Sequence, residues 1–418
     1  MIRHIFTIIW NERKTNGWIL LEYILVFCIL WFCVDYLYFM VKSYREPLGF
    51  DIEHVYRIQM GKKNTDKADD EKRDDYEDAL LFMNRVSQYP GVESICLAQQ
   101  GVPYAGGYSS QNLFFSPDSL NENLQIRYVT SGFFDVFKIK LKSGRIFNWE
   151  DQAESKNILI SPDRANKFGK YPGATYDISQ IRTISDKKHD YHVVGITDKV
   201  KDTFFYPYRS SIFYPLSREQ TKLHWLQIAI RITPQADKDF VQRFTKEMKE
   251  QLSIGPYYLT SITSFKSMRK TLIDGWGISD RLNSVYAITG FLIINIFLGL
   301  IGTFWYRTQA RRGEIGLRIS LGATKQKVKS MMFIETLLLL FVASVIGVNI
   351  CINIAQTDLL SAIDIPKADR VMAGTGIEQD FINYGLTFLF LAIVSLIAVW
   401  YPAKQSSDIP PAEALREE

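Results

Sequence analysis

Long apolar runs separate charged stretches along this chain, and four of them run from Trp18 to Val41, Val285 to Tyr306, Met331 to Ile354 and Phe381 to Trp400. Each is near the roughly 20 residues that a helix needs to cross a bilayer. The first contains Glu22 and Asp35, each costing about 2.5–3.5 kcal/mol at mid-bilayer. Both lie near its ends, where the bland reading is a carboxylate at the interface, and each Leu, Ile, Phe or Val contributes roughly −0.3 to −0.6 kcal/mol, so insertion wins. The run is too long for a cleaved signal and its exit, FCVDYLYFM, has no small-x-small site. It reads as a retained signal anchor.

Between the first two runs lie roughly 240 residues, about the upper size of one domain. Alternating strand-like runs recur there: HVYRIQM (54–60), ESICLAQ (93–99), LQIRYV (124–129), NILIS (157–161), YHVVGI (191–196) and LQIAIRI (226–232). Residues 71–88 and 237–251 read as amphipathic helices, and TDKADDEKRDD (65–75) as a solvated loop and helix start. Phe265, Met268, Leu272 and Trp276 recur at helical spacing, predicting a helical stalk that Gly275 and Gly277 make breakable.

The predicted fold is therefore a membrane protein with four transmembrane helices and a large α+β extracytoplasmic domain inserted between helices 1 and 2. Its segments are a cytoplasmic N-terminal piece (1–17), helix 1 (18–41), the outer domain (42–263), the stalk (264–284) and helix 2 (285–306). A cytoplasmic coupling loop (307–330), helix 3 (331–354), an extracytoplasmic loop (355–380), helix 4 (381–400) and a cytoplasmic tail (401–418) follow. Arg3, Arg13 and Lys14 precede the first span, and Arg307, Arg311, Arg312, Arg318, Lys325, Lys327 and Lys329 outnumber Glu314 after the second. These segments are predicted to be cytoplasmic. Asp358, Asp364, Asp369, Glu378 and Asp380 exceed Lys367 and Arg370 after the third span, as on an outer face.

A mean hydropathy of −0.05 conceals this segregation. Lys+Arg 49 against Asp+Glu 45 removes the footprint of a nucleic-acid binder. Cys28, Cys33 and Cys351 fall in apolar runs and Cys96 stands in polar surroundings, leaving no disulfide framework and no C-x-x-C metal site.

No G-x-x-x-x-G-K-[ST] loop occurs, so ATP hydrolysis would have to come from a partner. Ser267 and Lys270 form S-x-x-K without a following S-D-N or K-T-G, which reads as chance. His189 and His192 form H-x-x-H without a compatible third ligand and read as a polar turn. Glu335, one turn into the third span, is either a membrane-embedded polar site that helps seat a cytoplasmic partner or a carboxylate reaching the lipid interface. Ala343 with Gly347, and Gly299 with Gly302, allow close helix approach.

The most informative stretch is RTQARRGEIGLRISLGATKQKVKSMMFIETLLLL (307–340). Gly322 reads as a helix C-cap and Thr324 as the N-cap of the third span. Ile315, Leu317, Ile319 and Leu321 alternate, which leaves strand and helix open.

RRGEIGLRISLGATKQKV followed by an apolar run with an early Glu resembles the signature of FtsX-like ABC transporter permeases, which include macrolide-exporter and lipoprotein-releasing types. The outer domain resembles the periplasmic core domain of macrolide exporters, through YVTSGFFDVFKIKLKSGRIF (128–147) and YHVVGITDKV (191–200). The ending YPAKQSSDIPPAEALREE is similar to the family's P-x-E-A-L-R close. The resemblance implies a coupling helix on an ABC ATPase subunit, matched here by Arg311, Arg312, Glu314, Ile315, Leu317, Arg318, Leu321, Gly322 and Ala323. It implies no catalytic, cofactor or metal site in this chain, with ATP and Mg bound by the partner ATPase. It also implies a homo- or heterodimer in the bacterial inner membrane among lipids, a periplasmic adaptor or envelope protein as further partner, and no nucleic acid. Only 17 residues precede the first span, so a stand-alone permease subunit is expected, and that span is bulky where the family's is small and glycine-rich. The expected function is mechanotransmission for export or release of a substrate. The alternative is a signalling subunit that activates a cell-envelope hydrolase without transport.

Overall fold

The computed structural model describes residues 13–64, 74–105, 109–113, 122–147, 156–162, 183–185, 190–205, 208–218, 221, 223–310, 312–356 and 377–408. The N-terminal residues 1–12, His189, most of the predicted loop 355–380 and the end of the tail lie outside these. The chain forms two compact units, Ser43–Ile278 and Met1–Lys42 with Ser279–Glu418.

The elements begin with helix α1 (Arg13–Arg45), strand β1 (Val55–Lys62), α2 (Asp75–Ser87), β2 (Val92–Gln99), β3 (Ser109–Leu113) and β4 (Glu122–Val129). Next come α3 (Gly132–Val136), β5 (Leu141–Gly144), β6 (Asn157–Ile160), β7 (Thr183–Ser185), β8 (Asp190–Thr197), β9 (Ser211–Pro215) and β10 (Gln227–Ile232). The last are α4 (Phe240–Met248), β11 (Tyr257–Ser264), α5 (Phe265–Gly275), α6 (Ile278–Ala310), α7 (Arg312–Ser320), α8 (Lys325–Gln356) and α9 (Ile377–Ser407).

In the outer unit, β10 lies between β1 and β2 and runs antiparallel to both. The β10–α4–β11 segment repeats this split arrangement with β1 in the gap. The result is the interleaved order β11-β1-β10-β2 of a ferredoxin-like sheet. The sheet continues through β4, β9, β6, β8 and β5, while β3 pairs with β4 and β7 with β8.

Strict alternation gives this sheet two apolar faces. Ile228, Ile230 and Ile232 of β10 meet Phe82 and Val86 of α2 and Phe240, Phe244 and Met248 of α4 on one side. Ala229 meets Cys96, Ala98, Phe133, Phe137 and Phe265 on the other. Each fully buried Phe or Ile contributes about 1.5–3 kcal/mol. Cys96 corrects the sequence expectation: it is buried, and burial pushes its thiol up. Glu93 and Gln99 made its surroundings look polar, but strand parity turns it inward beside Ala98.

The predicted stalk stripe also faces inward. Phe265 is in the core with Met268 and Leu272 packed against it, and the Trp276 ring meets Phe205 edge-on at 5.6 Å. Helix α5 ends at Gly275, Gly277 takes φ +60°, and α6 starts at Ile278.

In the membrane unit, four helices among the described residues, α1, α6, α8 and α9, are long and apolar enough to cross a membrane. Ile19, Tyr23, Val26, Phe27, Leu30 and Trp31 form one face of α1 and pack with residues of α6, α8 and α9. Gly347 of α8 lies against the Phe27 ring and Gly299 of α6 against the Glu22 carboxyl, whereas nothing lies within 4 Å of a Cβ built at Gly302. Asp35 departs from the interface reading, being only 5% exposed. Asn383 of α9 donates to its Oδ1 at 2.5 Å, so an amide from a facing helix satisfies the carboxyl inside the bundle.

Candidate functional site

The segment after α6 is helical, which resolves the strand-or-helix ambiguity of its alternating apolar residues. On α7 they spread around the surface: Ile315 is buried, while Leu317 and, just past the helix end, Leu321 are 51% and 79% exposed. The helix closes with paired main-chain bonds, Ala323 N–H to the Arg318 carbonyl at 2.9 Å and Gly322 N–H to the Ile319 carbonyl at 3.0 Å. This is a Schellman ending, and Gly322 supplies its left-handed residue at φ +94°. Thr324 then caps α8, its Oγ1 accepting the Lys327 N–H at 3.3 Å. Two helices thus meet at a short corner whose geometry is set by capping.

Side chains fasten that corner. The Arg318 guanidinium donates to the Met331 thioether of α8. Lys325 donates to Asp408, past the end of the fourth apolar stretch, at 2.8 Å. That bond, above other causes, holds the Asp408 carboxyl below the usual range. Trp305 and Tyr401 stack at 6.1 Å, joining the ends of α6 and α9. Ala323 is half-buried, Arg311 lies outside the described residues, and of Arg312 and Glu314 only the helical backbone is described. Leu317 and Leu321, four residues apart, form an apolar ridge in a basic segment, which suits protein docking.

Glu335 is 2% exposed, with Thr336 buried beside it, so it does not reach the lipid-facing surface of this unit. Ser267 and Lys270 are both exposed at the start of α5, where Ser267 N–H donates to the Ser264 hydroxyl in a helix cap. His192 is exposed on β8, and no group of three potential metal ligands occurs among the described residues.

Three buried cations of the outer unit escaped the sequence reading. Arg231 of β10 donates to the carbonyls of Val136, Glu53 and Asp51 at 2.6, 2.8 and 2.9 Å. Burial alone would raise the Asp51 carboxyl, but the Glu53 N–H, Arg231 and Lys138 together hold it low. Arg127 of β4 reaches the Gly101 carbonyl at 2.7 Å and Asp202 at 2.5 Å. Lys201 donates to the Ser43 carbonyl at 2.8 Å and lies 3.3 Å from Glu46 Oε2. Burial lowers the Lys201 pKa against the opposing pull of Glu46. Strand parity is the signal that could have found the arginines, since Arg127 shares a face with Val129 and Arg231 with Ala229.

Comparison with known proteins fits both units. The MacB-like periplasmic core domain matches residues 37–247, and the FtsX-like permease C-terminal domain matches 286–411. The macrolide export ATP-binding/permease protein MacB of Rhodopseudomonas palustris (strain HaA2) is 21% identical over 345 residues, 79% of this chain and 49% of that protein. MacB of Escherichia coli (strain K12) is 21% identical over 326 residues, 72% of this chain and 46% of that protein. The chain spans about half the length of these curated relatives. The solved periplasmic region of MacB from Actinobacillus actinomycetemcomitans has a TM-score of 0.32 and 15% identity, over 55% of this chain and 97% of that one. With one family domain in the sheet-rich unit and the other across the later apolar helices, the chain belongs to the MacB-like, FtsX-type family of ABC transporter permeases.

Proposed function

We propose that this chain is the membrane subunit of an ATP-driven assembly in which closure of cytoplasmic ATPases moves the outer unit, driving export or release of a substrate in the envelope. The observation that carries this reading is the exposed Leu317–Leu321 ridge, set between two apolar helices by caps on both sides. A ridge with a fixed direction can take up a partner's movement, whereas a frayed loop would absorb it. ATP and Mg are assigned to the partner ATPase, since these 418 residues contain no phosphate-cradling G-x-x-x-x-G-K-[ST] loop, and this chain acts without catalysis of its own. The basic residues around α7 support a cytoplasmic position for it and for both termini, with the chain in the bacterial inner membrane. Two permease chains act together, and a periplasmic adaptor or envelope protein receives the motion.

The test uses the full chain in lipid nanodiscs with the ATPase that co-purifies with it. No ATP turnover is expected from the chain alone. Association with the ATPase should be lost in Leu317→Asp/Leu321→Asp while the helical content of the chain persists. Intrinsic turnover, or unchanged association in the double variant, would overturn the reading.

A further inference from the structure

The last turn of α1, from Ser43, belongs to the outer unit. Its terminal carbonyls have no partner within the helix. The Ser43 carbonyl receives the ammonium of Lys201, a side chain only 1% exposed. A cation at this position also complements the negative end of the helix dipole. The grip continues along the chain, because Lys201 N–H donates to the Leu48 carbonyl at 2.9 Å. Gly49, at φ +74°, passes so close to the Lys199 carbonyl that any Cβ would overlap it. The Tyr44 ring meets Phe204 edge-on at 5.4 Å.

The same short loop grips a second helix end. Phe204 packs on Phe205 at 5.1 Å, and Phe205 packs on Trp276, the C-cap residue of α5. Between these contacts Asp202 roots the loop in the sheet, accepting from Arg127 at 2.5 Å and Gln125 at 2.6 Å, both on β4. Residues 199–205 therefore touch the helix by which the chain reaches the outer unit and the helix by which it leaves.

We infer that this loop is a yoke that ties the last turn of α1 and the end of α5 to the central sheet, with Lys201 as its positioning residue. The inference rests on the mechanical reading above and gives it a location. A buried lysine is a poor choice for packing alone, since an apolar side chain of similar volume is often neutral or stabilising. Its distinct contribution is direction: an ammonium that donates to both the Ser43 carbonyl and the Glu46 carboxylate fixes that helix end against the loop.

The experiment uses the full chain in nanodiscs, its four cysteines changed to alanine and spin labels placed at Arg45→Cys and Tyr258→Cys, both in the outer unit. The distance distribution between the labels is measured alone, then with the co-purifying ATPase in ADP and in ADP–vanadate. In the parent the distribution should be narrow and the same in every nucleotide state, as a rigid tie requires. Lys201→Met should broaden it while ATP turnover of the complex persists, and Lys201→Arg should restore the narrow distribution. An unchanged distribution in Lys201→Met would overturn the yoke. If Lys201→Met broadens the distribution but Leu317→Asp/Leu321→Asp keeps its association with the ATPase, the yoke stands and the mechanical reading falls. Should Lys201→Met fail to accumulate, Glu46→Gln takes its place, with broadening expected and an unchanged distribution again decisive against the yoke.

Discussion

Buried polar groups are handled differently in the two units. In the outer unit, Arg231, Arg127 and Lys201 are turned toward main-chain carbonyls of irregular segments and helix ends. In the membrane unit, Asn383 donates to Asp35 and Tyr23 to Ser395, while Thr336 and Ser344 each donate to the carbonyl four residues back. The backbone explains the contrast. Long connections between strands leave carbonyls without a ladder partner, and a buried one needs a donor. A spanning helix satisfies its own backbone, so only side chains remain to be paired. Removing a polar side chain should therefore be far more damaging in the outer unit than in the bundle.

The largest effect is expected for Arg231→Leu, which leaves the Asp51 carboxylate and several carbonyls without their cation. It should destabilise the outer unit by about 3–5 kcal/mol, read by denaturant unfolding. A loss below about 1 kcal/mol, the scale of an ordinary hydrogen bond, would erase the contrast. Next comes Gly322→Val, because the corner between α7 and α8 follows the outer unit's rule and closes its helix through main-chain bonds. Forcing a side chain into the left-handed region should cost about 1–2 kcal/mol locally. Insertion should persist while the chain no longer stimulates the partner's ATP turnover; full stimulation would show that the corner tolerates redirection. The smallest effect is expected for Tyr23→Phe, which removes one hydroxyl bond to Ser395. Helix-to-helix bonds of this kind average about 0.6 kcal/mol, so unfolding in mild detergent should barely change. A loss as large as that of Arg231→Leu would refute the distinction.

Much of the architecture was legible because it depends on local periodicity. The strands around Ile58, Leu97, Ile126 and Ile230 carry large apolar residues two positions apart, and Gly322 and Thr324 mark a helix end and start without needing any distant residue. Strand β9 was missed because Ile212, Phe213 and Tyr214 follow one another, without the polar positions that Gln227 and Arg231 supply beside the isoleucines of β10. The interior setting of Asp35 was missed for another reason: its amide partner lies on α9, far along the chain. Lys201 likewise looks like part of a polar turn until the chain folds back onto Ser43. For the segment between α6 and α8, the residues could be named from resemblance, but which of them stand outward required α7 itself, since alternation cannot separate buried Ile315 from exposed Leu317.

The interleaving of the central sheet also constrains the order in which the protein can be made. Val55 pairs with Arg231, and Tyr56 with both Ile230 and Ser264, so β1 emerges from synthesis long before either of its neighbours exists. Until then its two edges present unpaired main-chain groups, and Ile58 has no sheet to enter. Closing so long a loop is slow, and the waiting strand is open to pairing with other chains. The outer unit is thus a late-completing domain, dependent during biogenesis on whatever keeps β1 and β2 apart from competitors until residues beyond β10 have arrived.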